Sequence, residues 1–109
     1  MIEVLLGSLN CERVLTFLWA RQQGYAREIA RYFQTGLAPI QQQMDKLEQG
    51  GVLYSELMGR TRVYKFDPRY PFLSELGKLL DKVLKAYPDT ERESLLMNRR
   101  RPRRRGKPL

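Results

Sequence analysis

The sequence predicts a mainly α-helical fold with one small β-hairpin, and two observations along the chain lead to this prediction. Residues 25–49 contain two short amphipathic helical patterns that are separated by a break at residues 34–36. Residues 52–66 then alternate apolar and polar side chains around a glycine, as the two strands of a hairpin do. This order predicts a winged helix-turn-helix, and a long apolar helix after it is expected to serve as an added C-terminal dimerisation helix.

Length and composition predict one folded domain with a basic tail. The chain has 109 residues, of which 42% are hydrophobic and 10% aromatic, and this suits a single globular core. Residues 1–90 carry 12 Lys/Arg and 10 Asp/Glu, a balance of +2, whereas residues 91–109 carry 8 and 2, a balance of +6. We therefore expect a winged-helix domain over residues 1–88 and a largely disordered basic tail over residues 89–109. Such a tail either binds polyanions through counterion release or is only a solvated end.

The residue types argue against several kinds of chemistry. The chain has no histidine and a single cysteine, Cys11, so neither an internal disulfide nor a transition-metal site is expected. Its acidic residues are scattered, its serines lack a histidine base and its glycines form no phosphate loop, so we expect no enzyme and no cofactor. Cys11 falls on an apolar stripe, which favours a buried thiol over a redox sensor. With no signal peptide and no apolar run near the ~20 residues that span a bilayer, a cytoplasmic protein without a membrane partner is expected.

The first predicted helix runs from a cap at Asn10 to about Gln23, and Gly24 is expected to end it. Its buried stripe follows the helical spacing i, i+3, i+4, i+7 and consists of Cys11, Val14, Leu15 and Leu18. Phe17 and Trp19 fall off this stripe, so they either extend the core or contact a second subunit.

Two further helices form the predicted helix-turn-helix. The second helix spans residues 26–33, and the third runs from Leu37 or Ala38 to Gln49, with Pro39 in its first turn, where the missing N–H is tolerated. The buried side of the third helix consists of Ile40, Met44 and Leu47. The opposite side, which we name the outer face, consists of Ala38, Gln41, Gln42, Asp45 and Gln49.

The outer face is the predicted reading surface. It is polar with one formal charge, whereas a helix that is merely solvated usually carries charge pairs four residues apart. A glutamine amide can bond to both N6 and N7 of adenine in the major groove, so Gln41 and Gln42 are the candidate base readers. The alternative is that glutamine is simply a good surface helix former.

The predicted hairpin is the second candidate contact. Its strands cover residues 52–57 and 62–66, Gly59 supplies the turn and Arg60 lies at the tip. Arg60 and Arg62 are expected to hold phosphates or to enter a narrow minor groove, which attracts guanidinium groups. A tip with two arginines can also serve solubility alone.

The last predicted helix, from Pro71 to Tyr87, has more apolar positions than docking onto one core requires. Eight of the sixteen residues from 72 to 87 are apolar, against roughly three in seven for a helix that covers one core. The surplus predicts a dimer contact made by Phe17, Phe72, Leu76, Leu79, Leu80, Val83 and Leu84. The alternative is that these side chains belong to the core of one subunit.

The segment LAPIQQQMDKLEQGGVL, the hairpin YSELMGRTRVYKF and the following DPRYPFLSEL resemble the winged-helix domain of ArsR-type transcriptional regulators. They are most similar to the small variety of that domain found with minimal nucleotidyltransferases, and the resemblance covers about residues 5–87. It implies a homodimer joined by its first and last helices. It also implies that the third helix enters the major groove of DNA and that the hairpin touches flanking DNA.

The chain departs from that family in two places. Metal-sensing members carry paired cysteines at the helix-turn-helix or at the dimer helices, whereas the matching stretch here is Tyr25-Ala26-Arg27, so no metal response is expected. In the turn, Gln34 replaces the glycine and Thr35 the apolar residue that the family prefers.

Together these observations predict a sequence-specific transcriptional regulator, of repressor type, that binds double-stranded DNA as a homodimer. The predicted DNA-binding residues are Arg27, Arg31, Thr35, Ala38, Pro39, Gln41, Gln42, Asp45, Lys46, Arg60 and Arg62. Two other functions stay open. One is a winged helix that docks a partner protein such as a nucleotidyltransferase, and the other is a low-specificity nucleic-acid-binding protein driven by the arginine-rich tail.

Overall fold

The computed structural model describes residues 1–97, which form six α-helices and one antiparallel two-stranded sheet. In chain order the elements are α1 (Glu3–Leu6), α2 (Leu9–Arg21), α3 (Ala26–Tyr32), α4 (Leu37–Gln49), β1 (Leu53–Met58), β2 (Thr61–Phe66), α5 (Leu73–Ala86) and α6 (Asp89–Met97). The predicted fold class, mainly helical with a small hairpin, is confirmed. The four-residue helix α1 was not predicted, because so short a segment shows no helical period.

Helix α2 begins two residues earlier than the sequence predicts. Its N-cap is Ser8, whose extended backbone allows the hydroxyl to accept a hydrogen bond from the Cys11 N–H at 3.0 Å. Asn10, the predicted cap, lies inside the helix, and its side-chain oxygen accepts a hydrogen bond from Arg13 at 3.1 Å. Serine and asparagine are both favoured caps, so composition alone did not distinguish the two positions.

Helix α2 also ends before Gly24. Gln22 ends it in the left-handed conformation, at φ +77°, and donates its N–H to the carbonyl oxygen of Leu18. Gly24 forms an isolated bridge with Tyr64 of β2 instead, through two backbone hydrogen bonds of 3.2 and 2.8 Å. An added Cβ at Gly24 would lie 2.9 Å from the Phe17 ring, so glycine is required there by close packing rather than by helix termination.

Helices α3 and α4 form the predicted helix-turn-helix, with bounds within one residue of the prediction. Ile40 and Met44 of α4 are fully buried against α2 and α3, as expected from their spacing. Gln34 in the turn adopts φ +55°, a left-handed conformation that residues with a Cβ rarely take. Glycine, which the ArsR-type family prefers at this position, would adopt it without a steric cost.

The wing consists of β1, β2 and the two-residue turn Gly59-Arg60 between them. Its register pairs Leu53 with Phe66 and Met58 with Thr61, so the strands extend closer to the tip than predicted. Gly59 occupies φ +65°, which glycine adopts without strain, and this allows the tight turn that presents Arg60.

Helix α2 lies at the centre of the fold and contacts the other five described helices and strand β2. The main core consists of Val14, Phe17, Leu18, Ile29, Ile40, Met44, Leu53, Tyr64, Leu84 and Leu95, with three small alanines. A second cluster, formed by Cys11, Leu15 and Leu80, lies between α2 and α5. The thiol of Cys11 is free and buried.

Four side chains that the sequence assigned to the dimer contact are buried within one chain instead. They are Phe17, Leu80, Val83 and Leu84. For the three residues of α5 the physical reason is the close approach of α5 to α2 at Gly77, where an added Cβ would lie 2.5 Å from the indole of Trp19. Phe17 packs instead against the rings of Tyr32 and Phe33. Trp19 also donates its Nε1–H to Asp81 at 2.8 Å. Helix α5 therefore buries more of its apolar surface inside the subunit than its composition suggested.

Helix α6 continues the fold beyond the predicted domain boundary at residue 88. Leu95 is only 1% exposed and belongs to the main core. Arg21 of α2, itself 8% exposed, donates from Nε to the carbonyl oxygen of Leu95 at 2.8 Å. The folded domain therefore includes residues 89–97, and the rest of the predicted tail, residues 98–109, lies outside the described residues.

Candidate nucleic-acid interface

A groove of about 770 Å³ opens between α4, the wing and the start of α3. Polar and charged side chains from all three elements line it, namely Arg27, Gln41, Asp45, Glu48, Arg60 and Arg62. Five of these six residues were predicted to bind DNA from sequence patterns in three separate segments. The fold brings these five together because the wing folds back along α4 and the bridge between Gly24 and Tyr64 joins it to the segment before α3.

The five basic residues predicted to hold phosphates are all exposed. Arg27, Arg60 and Arg62 line the groove, whereas Arg31 and Lys46 lie outside its lining. Burial raises the pKa of the Cys11 thiol, and the positive charge of Lys46 acts in the opposite direction. Lys46 is exposed but outside the groove lining, so it and the groove would meet different parts of a long polyanion.

The outer face of α4 is open to solvent over most of its length. Ala38, Pro39, Gln42 and Asp45 are exposed, and Gln42 makes no side-chain hydrogen bond within residues 1–97. Thr35, the predicted contact in the turn, is half-buried. The short side chains at the start of α4 and the free amide of Gln42 leave this face accessible to a flat or grooved partner.

Gln41 differs from Gln42 because its amide group is already engaged. Its Nε2 donates to Asp45 Oδ1 at 2.9 Å and to the hydroxyl of Tyr64 at 3.1 Å. The residue is half-buried. The sequence predicted Gln41 and Gln42 as equivalent readers, and the structure separates them into one engaged and one free amide.

Tyr64 is a site residue that the sequence reasoning missed. Its ring is buried, at 2% exposed, yet its hydroxyl reaches the groove, where it accepts the hydrogen bond from Gln41. Burial raises the pKa of Tyr64, the Gln41 hydrogen bond lowers it, and the nearby carboxylates of Asp45 and Glu48 raise it further. The sequence could have indicated Tyr64, because residues two apart in a strand share a face and Tyr64 lies two residues after Arg62 in β2.

Ser55 and Glu48 connect the wing to α4 and were also not predicted. The Ser55 hydroxyl donates to Glu48 Oε2 at 2.7 Å and accepts a hydrogen bond from Arg62 Nη1 at 3.0 Å. This chain of contacts orients Arg62, whereas Arg60 at the tip makes no side-chain hydrogen bond within residues 1–97. The two arginines therefore differ, with one held against the wing and one free to follow a ligand.

One group of exposed apolar side chains lies at α1 and around the start of α5, at residues outside the groove lining. Val4 is 95% exposed, Leu5 71% and Phe72 62%, while Leu76 and Leu79 are partly exposed. Leu6 of α1 and Leu76 of α5 pack against the same cluster of Cys11, Leu15 and Leu80. The two helices therefore border the same region of the surface. The sequence did not predict that α1 would contribute to this region.

Within residues 1–97, no group of three or more acidic or cysteine side chains is arranged to hold a metal ion. No helix in the same part of the chain is both long enough and apolar enough to cross a membrane.

Solved structures that resemble this one identify the fold. A double mutant of ZitR from Lactococcus lactis, in its apo form, superposes with a TM-score of 0.55 over 86% of this chain and 80% of its own, at 16% identity. The adhesin competence repressor AdcR from Streptococcus pyogenes gives a TM-score of 0.53 over 87% and 82%, at 14% identity. The chain has a winged-helix fold. At such low identity the likeness establishes architecture alone, and neither a protein-family model nor a curated protein sequence matches this chain.

Proposed function

We propose that the protein is a sequence-specific DNA-binding transcriptional regulator, with α4 in the major groove and the wing on flanking DNA. The observation that carries the proposal is the groove in which the outer face of α4 meets Arg27, Arg60 and Arg62. A helix fits the major groove, and guanidinium groups beside it bind phosphates. The resemblance of about residues 5–87 to ArsR-type regulators supports the same function and favours a repressor in the cytoplasm.

Different side chains are proposed to provide the affinity and the specificity of DNA binding. The exposed Arg27, Arg31, Lys46 and Arg60 would neutralise phosphates, which contributes affinity without sequence preference. Gln42, with its free amide, would read a base edge, and the small Ala38 and Pro39 would allow the backbone to approach the duplex. Specificity is therefore expected to depend on few side chains and affinity on many.

The regulator is proposed to act as a homodimer that covers the exposed apolar surface of α1 and α5. Val4, Leu5 and Phe72 are too exposed to contribute to the core of one chain, and a second copy would remove them from water. Leu5→Glu should shift the protein to a monomer in analytical ultracentrifugation. Leu57→Glu is the matched control, because Leu57 is also exposed, at 62%, but lies on the wing.

The proposed function can be tested by selecting bound fragments from sheared genomic DNA with the full chain. Recovery of one shared motif, with two half-sites roughly 10 base pairs apart, would support a dimeric sequence-specific regulator. Fragments without a common motif would refute it.

The low-specificity alternative has one observation in its favour. Residues 98–109 contain six arginines and Lys107 and no acidic residue. A protein driven by that run would bind all duplexes with a steep salt dependence and a specificity ratio near one. Competition between a selected fragment and random DNA at two salt concentrations separates the two functions.

A further inference from the structure

The orientation of the Gln41 amide is determined by its neighbour on the same helix. Asp45, as a carboxylate, can only accept hydrogen bonds, so the group that faces its Oδ1 at 2.9 Å must be the NH2 of Gln41. The other amide proton points to the hydroxyl oxygen of Tyr64, at 3.1 Å. Both donors of Gln41 are therefore used inside the protein, and its carbonyl oxygen has no partner within residues 1–97.

Tyr64 is held firmly enough to impose this orientation. Its backbone N–H and carbonyl both bond to Gly24, at 2.8 and 3.2 Å, and its ring is buried in the main core. The hydroxyl can hardly move relative to α4, since α4 packs on the same core through Ile40 and Met44. Burial raises the pKa of Tyr64, so the phenol stays neutral at physiological pH.

We infer that Tyr64 is a specificity-determining residue that acts through Gln41. Because Tyr64 and Asp45 occupy both amide protons, Gln41 presents only an acceptor to the duplex, and the base opposite it should carry an exocyclic amino group. This inference rests on the proposed function and adds to it the kind of base that one position of the site should contain.

In the major groove, a side chain that can only accept hydrogen bonds distinguishes two bases from the other two. Adenine N6 and cytosine N4 are hydrogen-bond donors there, whereas guanine O6 and thymine O4 are acceptors. An oxygen of Gln41 would bond to either amino group and would face an unfavourable oxygen pair with guanine or thymine. This differs from the paired bond to adenine expected from the sequence, which requires a free N–H and which Gln42 can still make.

Tyr64 is a positioning residue in this scheme, since a side chain 2% exposed cannot itself reach a base. Removing its hydroxyl would release one amide proton of Gln41. The released amide could then donate to guanine or thymine as well as accept from adenine or cytosine. The variant should therefore discriminate less between bases at the one position that Gln41 faces. Its base preference at the other positions of the DNA site should equal that of the wild type.

The test is selection from a randomised duplex library with the full-length protein and three variants. Gln41→Ala identifies the position that Gln41 faces, as the one where preference is lost. At that position the wild type should favour adenine or cytosine over guanine or thymine by about tenfold. In Tyr64→Phe the ratio should fall to within about threefold, with the rest of the motif unchanged. Asp45→Ala removes the acceptor of the other amide proton at an exposed position, and it should relax the same position.

Tyr54→Phe is the matched control, because it removes a tyrosine hydroxyl from the same hairpin at a residue outside the groove lining. It should leave every position of the motif as in the wild type. Selection of a motif by the wild type with guanine or thymine at the Gln41 position would overturn the inference alone. So would unchanged preference in both Tyr64→Phe and Asp45→Ala. Selection of no motif by the wild type would overturn the proposed function as well.

Discussion

The guanidinium of Arg21 joins the second helix to the last described one by donating from Nε to the carbonyl oxygen of Leu95 at 2.8 Å. It also stacks on the ring of Phe17, with Cζ 4.4 Å from the ring centroid. A buried arginine is stable here because its charge meets carbonyl oxygens at the end of α6 and the carboxylate of Glu28, 4.0 Å away. Burial lowers the pKa of Arg21, and Glu28 opposes that shift.

Arg21→Ala should loosen α6 and destabilise the whole domain. The change removes the hydrogen bonds to the end of α6 and the packing on Phe17, which we expect to cost about 2–4 kcal/mol in the free energy of unfolding. Urea unfolding measures the loss, and hydrogen exchange should show the amides of α6 opening first. Lys82→Ala, at an exposed position of α5, is the control and should change stability little. Equal stability of both variants would contradict a structural role for Arg21.

Gly77→Ala should destabilise the protein although alanine is the better helix former. The new Cβ would lie 2.5 Å from Trp19 Cη2, and the indole is held by its hydrogen bond to Asp81. Overpacking costs about 1–3 kcal/mol and helix propensity returns about 1, so a net loss of up to about 2 kcal/mol is expected. Gly50→Ala is the control, since its Cβ would make only ordinary contact at 3.5 Å. Thermal unfolding with Trp19 fluorescence reports both, and a stabilised Gly77→Ala would show that α5 is not packed as described.

Tyr87→Phe should weaken the protein and change its alkaline unfolding. The Tyr87 hydroxyl donates to Glu12 Oε2 at 2.6 Å, and Glu12 is buried, so the variant should lose roughly 1.5–3 kcal/mol. Burial, together with the Glu12 hydrogen bond, raises the pKa of Tyr87. A phenol whose pKa is raised by folding stabilises the fold below about pH 10 and loses that contribution above it. The wild type should therefore lose stability above this pH more steeply than Tyr87→Phe, and identical alkaline profiles would exclude the effect.

Gln42→Ala should cost about 1–3 kcal/mol against a selected DNA site and much less against random DNA. Its amide lies on the outer face of α4, is exposed and makes no side-chain hydrogen bond within residues 1–97. Fluorescence anisotropy on both duplexes gives the comparison. Gln23→Ala, at an exposed glutamine after α2 and outside the groove lining, is the control. Equal losses on selected and random DNA would exclude base reading by Gln42.

Truncation after Met97 should weaken binding to all duplexes alike and reduce its salt dependence. It removes seven basic side chains while keeping Leu95 and the contacts of Arg21. The slope of log affinity against log salt should fall by up to roughly 0.9 per lost phosphate contact. An unchanged slope would mean that residues 98–109 do not contact DNA.

The local parts of the fold were predictable from the sequence, and the long-range parts were not. The helix-turn-helix and the wing follow from periodicity and from Gly59, which are properties of neighbouring residues. The positions of Leu95 and Arg21 depend on a contact between residues 74 apart in the chain, for which no local pattern exists. The burial of Leu84 likewise depends on how closely α5 approaches α2, which Gly77 permits.

The exposed positions in the candidate site were predictable from the sequence, but the hydrogen bonds among its residues were not. Exposure of Arg27, Gln42 and Arg60 follows from helical and strand periods. The engaged state of Gln41 does not, because the hydroxyl that engages it comes from a strand 23 residues later.

The bridge between Gly24 and Tyr64 has a mechanical consequence. The bridge joins strand β2 to the segment just before α3. The Tyr64 hydroxyl also joins this strand to α4, through its hydrogen bond with Gln41. The spacing between α4 and the wing is thus set by the protein itself. In the proposed complex a duplex would have to match that spacing, so easily deformed steps between the two contacts should be favoured even where no side chain touches a base.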